Sequence, residues 1–210
     1  MKSDWIDSQL RRRGITDERV LDAMARVPRE LFVPRESRRR AYDDAALSLT
    51  HGQTISQPYI VALIAQALEL RGDERVLDVG TGSGYQAAVL AELARDVVGI
   101  ERVSELAEQA RENLRAAGYD VEVLVGDGAH GMPERAPFGG IAVAAAADTL
   151  PAPLYDQLEP GGRLVLPIGE RLVAVTRTPD GPRTRFLSPA RFVPLVTGFP
   201  DDPQGITDSG

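Results

Sequence analysis

The stretch "RVLDVGTGSGY" (residues 75–85) decides the fold. Five strand-forming positions, 75–79, run straight into Gly80-Thr81-Gly82-Ser83-Gly84-Tyr85, and a helical pattern occupies 84–95. Glycines let a chain turn sharply and let a ligand come close with no Cβ in the way. The helix that opens behind them presents free N–H groups and the positive end of its dipole. A lone glycine triplet occurs in many turns, so its surroundings must carry the reading.

Those surroundings alternate. Further β-rich runs lie at "VVGIE" (97–101), "VEVLV" (121–125), "GIAVAA" (140–145) and "GRLVLPI" (162–168). Helical patterns at 103–117 and 152–159 fall between them, and Gly118 ends the first of these. Strand and helix in alternation predict βαβ units and a doubly wound, mostly parallel α/β sheet with helices on both faces. Downstream, "LVAVTRT", "PDG" and "RTRFL" read as a hairpin with a Pro-Asp-Gly turn. "RFVPLV" (191–196) is a last possible strand, and 198–210 a frayed tail. Upstream, Val20, Leu21, Met24, Val27 and Leu31 share a helical face that Pro28 interrupts. Residues 35–57 read mostly as loop. "SQPYIVALIAQALEL" reads as a helix with Pro58 in its first turn. The whole is one domain over 1–210. It has an N-terminal helical segment (1–70), a cofactor-binding core (71–170), C-terminal strands (171–197) and a flexible tail (198–210).

Bulk composition sets limits. Of 210 residues, 43% are hydrophobic and 26% charged, enough for an ordinary soluble core. The absence of cysteine removes disulfides, thiolate metal sites and a cysteine nucleophile. His51 and His130, far apart in sequence, make a poor metal set. A net charge of −7 disfavours a nucleic-acid partner, and the runs "RRR" (11–13) and "RESRRR" (35–40) read as solvated faces. "MKSDWIDSQL" is neither a signal peptide nor a membrane anchor, which points to the cytoplasm. A monomer is the default expectation.

Spacing narrows the ligand. A dinucleotide fingerprint requires G-x-G-x-x-G, whereas here Tyr85 stands where the last glycine belongs. Asp78 precedes the loop by two residues, Glu101 closes the second strand, and Asp127 follows the third in "GDG" (126–128). Three strand-end acids around a glycine loop, with no Lys or Arg in the loop, suit an adenosine that carries no pyrophosphate. This is the pattern of S-adenosyl-L-methionine enzymes of the Rossmann-like class. Asp78 suits the ammonium group, directly or through water. Glu101 can accept both ribose hydroxyls, and Asp127 beside Gly128 can accept from the adenine amino group.

"HGQTISQPYIVA" (51–62) adds the distinctive part. With "VPRELFVP" (27–34), "AYDDAAL" (41–47), "LDVGTGSGYQAAVLAELA" (77–94), "GDG", "QLEPGGRLVLPIG" (157–169) and "RFVPLV", it resembles the protein-L-isoaspartate O-methyltransferases over roughly residues 20–196. The resemblance implies methyl transfer from S-adenosyl-L-methionine to the α-carboxylate of isoaspartyl residues in damaged proteins or peptides. The ester then collapses to a succinimide. It implies Ser56 as the active-site residue, with Thr54, Ile55 and Gln57 beside it on the substrate. Gly80, Gly82, Gly84, Glu101 and Asp127 fall at the cofactor positions. Taken alone, Ser56 reads as a helix N-cap, and a capping serine can still present its hydroxyl to a carboxylate. The N-terminal segment with the loop at 48–57 is expected to cover the cofactor and shape a groove for flexible, damaged chain segments.

Three positions depart from the family pattern: Met132 for an aromatic, Gly139 for an acid, and Ala144 for a threonine. They are expected on the acceptor side. They keep open an aspartate of a dedicated peptide as acceptor, or a non-catalytic binder of the cofactor. A nicotinamide-dependent oxidoreductase is the competing enzyme class. The early Gly84 and the lack of a Tyr-x-x-x-Lys pair count against it.

Overall fold

The structure, a computed structural model, describes residues 2–50 and 52–198. His51 and the tail from 199 onward lie outside the described residues. The chain opens with α1 (Lys2–Trp5), which runs on through helical turns to Arg13. In α2 (Glu18–Arg26), the N-cap Asp17 side chain accepts from the Arg19 N–H at 2.9 Å. Val27, ahead of Pro28, is already extended, as the proline ring demands of its predecessor. Residues 35–57, expected as loop, contain a 3₁₀ turn at Arg35–Arg40 and a small antiparallel hairpin of β1 (Leu47–Ser48) and β2 (Thr54–Ile55). Two-residue strands are too short to show an alternating pattern, which is why the sequence hid them. The helix α3 (Pro58–Leu68) follows directly.

Seven strands form the main sheet: β3 (Arg75–Val79), β4 (Asp96–Glu101), β5 (Glu122–Val125), β6 (Phe138–Val143), β7 (Leu158–Ile168), β8 (Arg171–Thr178) and β9 (Gly181–Pro189). Their order is β5-β4-β3-β6-β7-β8-β9. The first five in this order pair in parallel, and β8 and β9 add on as the antiparallel hairpin predicted from "PDG". The order reverses between β3 and β6, so the crevice beyond the carboxyl end of β3 is the expected ligand site.

Alternation along β3 divides the core. Val76 packs under α3, α4 (Tyr85–Ala91) and α5 (Ser104–Ala116), while Leu77 and Val79 face the opposite layer. That second layer is thinner: the short α6 (Ala152–Asp156) and turns near Met132 cover it. Most of the helical mass therefore sits on one face. "RFVPLV" does not become a strand. It runs across the carboxyl ends of the sheet with a single bridge, Pro194 to Ala146. No helix among the described residues is long and apolar enough to cross a membrane.

Candidate active site

The glycine loop is fixed from beneath and behind. The N–H groups of Gly80 and Thr81 both donate to the Ile100 carbonyl of β4, at 2.9 and 3.3 Å. Thr81 Oγ1 donates to the Asp78 carbonyl, and Asn113 Nδ2 of α5 donates to the Ser83 carbonyl, each at 3.0 Å. Gly84 turns the chain into α4 at φ 88°, where a Cβ would also lie 3.0 Å from Leu114 Cγ. Under the loop, Gly99 of β4 leaves room for Thr81: a Cβ there would sit 2.5 Å from Thr81 Oγ1.

Glu101 ends β4, only 6% exposed. Its Oε2 accepts the Gly82 N–H at 2.9 Å and its Oε1 accepts the Val103 N–H at 3.0 Å. One side chain thus locks the loop to the strand end while its remaining lone pairs stay available to a ligand. Asp127 caps the turn after β5, its Oδ1 accepting from Ala129 N–H at 2.9 Å. Its Oδ2 takes the Gly198 N–H at 2.8 Å and lies 2.9 Å from His130 Nδ1. Burial pushes the Asp127 carboxyl up, but the N–H donors of Gly198 and Ala129, with His130, outweigh it and hold it below the usual carboxylate range.

Asp78 is wholly buried between the loop and α4. Gln86 Nε2 donates to its Oδ1 at 2.7 Å, yet Asp78 Oδ2 and Gln86 Oε1 have no partner among the described residues. Burial pushes the Asp78 carboxyl up to about 6, against the hydrogen bond from Gln86. Two orphaned acceptors side by side call for a proton or a cation nearby.

One cavity of about 680 Å³ gathers the sequence-predicted residues Thr54, Ser56, Gln57, Gly80, Gly82, Glu101 and Gly128 on its wall. Asp78, Gly84 and Asp127 stand outside that wall, and Ile55 points into the core. Ser56 is not the helix cap. Pro58 takes the first helical position, so the cap falls on Gln57, and Ser56 Oγ has no hydrogen bond among the described residues. Gln57 instead donates to Asp44 Oδ1 at 2.6 Å. Of the three departures from the family pattern, only Ala144 reaches the cavity. Gly139 lies at the amino end of β6, where a Cβ would strike Glu74, and Met132 is buried in the second core layer. Strand polarity could have placed Gly139: ligands gather at carboxyl ends, so the amino end of β6 is the wrong end. Sequence reasoning also missed Ala46, Ile60 and Arg102 on the wall, together with residues 189–196.

Doubly wound sheet, pinned glycine loop and strand-end acids define the Rossmann-like methyltransferase class. The model of the protein-L-isoaspartate(D-aspartate) O-methyltransferase family matches residues 1–199, and the chain belongs to that family. A Methanoculleus marisnigri protein-L-isoaspartate O-methyltransferase is 51% identical over 203 residues, covering 94% of this chain and 92% of that protein. The Aeropyrum pernix protein of the same name is 54% identical over 199 residues, with 90% and 76% covered. A Plasmodium falciparum structure described as a protein-L-isoaspartate O-methyltransferase in complex with S-adenosyl-L-homocysteine superposes with a TM-score of 0.81. It is 28% identical and covers 94% of this chain and 98% of that one.

Proposed function

We propose that this chain transfers a methyl group from S-adenosyl-L-methionine to the α-carboxylate of L-isoaspartyl residues in damaged proteins or peptides, starting their repair through a succinimide. The observation that carries the reading is the shared cavity: Ser56, with an unengaged hydroxyl, lines the same space as Gly80, Gly82 and Glu101. In this reading residues 1–70 shape the acceptor side and 71–170 hold the cofactor.

The donor set fits the cofactor. Glu101 keeps lone pairs for ribose hydroxyls, and Asp127 beside Gly128 offers an acceptor for the adenine amino group. The unpaired Asp78 carboxylate favours a ligand with positive charge. Loop residues 80–85 contain no Lys or Arg to hold a diphosphate. When bound, S-adenosyl-L-methionine supplies an activated methyl group whose bond to sulfur breaks as the carboxylate oxygen bonds to carbon. Chemistry asks little else of the protein. A carboxylate with a pKa near ~4 is ionised at neutral pH and needs no general base. Ser56 and neighbouring backbone donors orient it. A neutral hydroxyl holds the nucleophile without quenching it as a guanidinium would.

Ala144 on the cavity wall is the one observation favouring the other acceptor, an aspartate in a dedicated peptide. A labelled methyl-transfer assay with an isoaspartyl peptide and its aspartyl twin separates the two. Label is expected in the isoaspartyl peptide alone, and transfer to the twin alone would reverse the assignment. Calorimetry should show S-adenosyl-L-homocysteine binding and a nicotinamide dinucleotide ignored. The reading includes a cytoplasmic monomer without nucleic-acid or membrane partners, for which size-exclusion chromatography at the monomer volume is the first check.

A further inference from the structure

We infer that Arg29 is a positioning residue, which fixes Ser56 relative to the glycine loop from inside the core. Arg29 is the largest fully buried side chain of the described residues, at 0% exposure. It pairs with no carboxylate among them. Its Nε donates to the Ala41 carbonyl at 2.7 Å and its Nη2 to the Ser56 carbonyl at 2.8 Å. The Nη1 group has no partner, and the guanidinium carbon lies 4.6 Å from the centroid of the Tyr85 ring.

A buried guanidinium without a counter-ion is a poor way to fill space, and an apolar side chain of similar volume would avoid its desolvation. Arginine offers what an apolar chain lacks: a planar fork that reaches two acceptors at once and a flat face for an aromatic ring. Here the two acceptors belong to different segments. Ala41 ends the arginine-rich turn at 35–40, and Ser56 joins β2 to α3. The ring below belongs to the first residue of α4, directly after Gly84. Tyr85 is also the residue that spoils the dinucleotide fingerprint, so the same position that excludes a pyrophosphate loop provides the platform for Arg29.

Beside Arg29, the Ser56 segment is held by the Gln57 side chain, which donates to the Asp44 carbonyl and Oδ1, and by Ile55 in the core, but nothing else among the described residues grips the Ser56 backbone itself. Its hairpin has only two paired positions, Leu47 with Ile55 and Ser48 with Thr54, and the α3 cap has no side-chain bond. Fixing the Ser56 carbonyl fixes the peptide plane after it, and so the place of the Cα that carries the hydroxyl. Misplacing a reacting group by about 1 Å can cost about 10²-fold in rate.

The inference rests on the function proposed above for Ser56, so the test uses one readout that needs no substrate. Arg29→Lys keeps the charge but loses the planar fork whose separate nitrogens reach the two carbonyls. With an isoaspartyl peptide its kcat should fall about 100-fold, while S-adenosyl-L-homocysteine affinity stays within about threefold of the parent. The amides of Leu49 and Gln53, which close the hairpin through Leu49 N–H to Gln53 O at 2.8 Å and Gln53 N–H to Thr50 O at 3.2 Å, should exchange about tenfold faster. Arg29→Met, apolar and of similar length, gives the same result if the lysine variant fails to fold. Normal turnover with unchanged exchange would overturn the inference. So would a parallel loss of kcat and cofactor affinity, which would mark a residue serving the whole fold. A parent protein inactive on the peptide would sink the proposed function, and amide exchange would still decide the role of Arg29.

Discussion

On one side of the cavity, Gly80 and Gly82 are tied to the end of β4, Gly80 through its N–H to the Ile100 carbonyl and Gly82 through its N–H to the Glu101 carboxylate, which also takes the Val103 N–H. On the other side, Ala46 with Gln53, Thr54, Ser56 and Gln57, and residues 189–196, arrive from two separate stretches. They are held by a two-position hairpin, the hydrogen bonds from Gln57 to Asp44, a single strand bridge and one buried guanidinium. The first wall is stiff because its bonds are local and repeated. The second is assembled by tertiary contacts, so few residues decide its shape. On the proposed reading, a wall of that kind suits a flexible peptide and the first suits the cofactor.

If the two walls act separately, Ser56→Ala should give the largest effect: a loss of about 10²–10³ in kcat with S-adenosyl-L-homocysteine affinity unchanged by calorimetry. A matching loss of affinity would show that the walls are coupled. Asp78→Asn probes the stiff wall. Burial pushes the Asp78 carboxyl up to about 6 in the fold, from about 4 in the unfolded chain. Below pH ~4 both states hold the proton. As pH rises from about 4 to about 6 the unfolded chain releases it first, so the parent loses up to about 3 kcal/mol of stability. Denaturant titration should therefore find Asp78→Asn more stable than the parent at pH 8 and equal to it near pH 4. Cofactor affinity should move the other way at pH 8, because the variant offers no charge to a cation. Glu101→Gln keeps an acceptor for Gly82 but loses the charge and half the acceptors, and cofactor affinity should fall about tenfold. The smallest effect is expected far from both walls. Arg135 and Glu122 form an exposed pair at 2.9 Å, and Arg135→Ala should change stability by about 0.5 kcal/mol or less and leave transfer alone.

The contrast between the walls also explains what the sequence revealed. The sheet, its glycine loop and Glu101 were legible because strand, loop and acid follow one another along the chain at fixed spacing. Ser56 was found through resemblance alone. Local reasoning made it a cap, because the competition between Gln57 and Ser56 for that place turns on Pro58 and on Asp44, a residue far upstream. Arg29 drew no attention, since nothing near it in sequence says that Ala41, Ser56 and Tyr85 will surround it. "RFVPLV" has the composition of a strand but meets no free edge, so it serves as a wall instead.

The hydrogen bond from Gly198 to Asp127 has a consequence for traffic through the cavity. Beyond the stretch 189–196 that walls the cavity, the Gly198 amide donates to Asp127 Oδ2, on the side chain proposed to take the purine amino group, and Arg102 Nε donates to the Gly198 carbonyl at 3.3 Å. If Asp127 takes the purine amino group as proposed, a nucleobase shares Oδ2 with the Gly198 amide or displaces it.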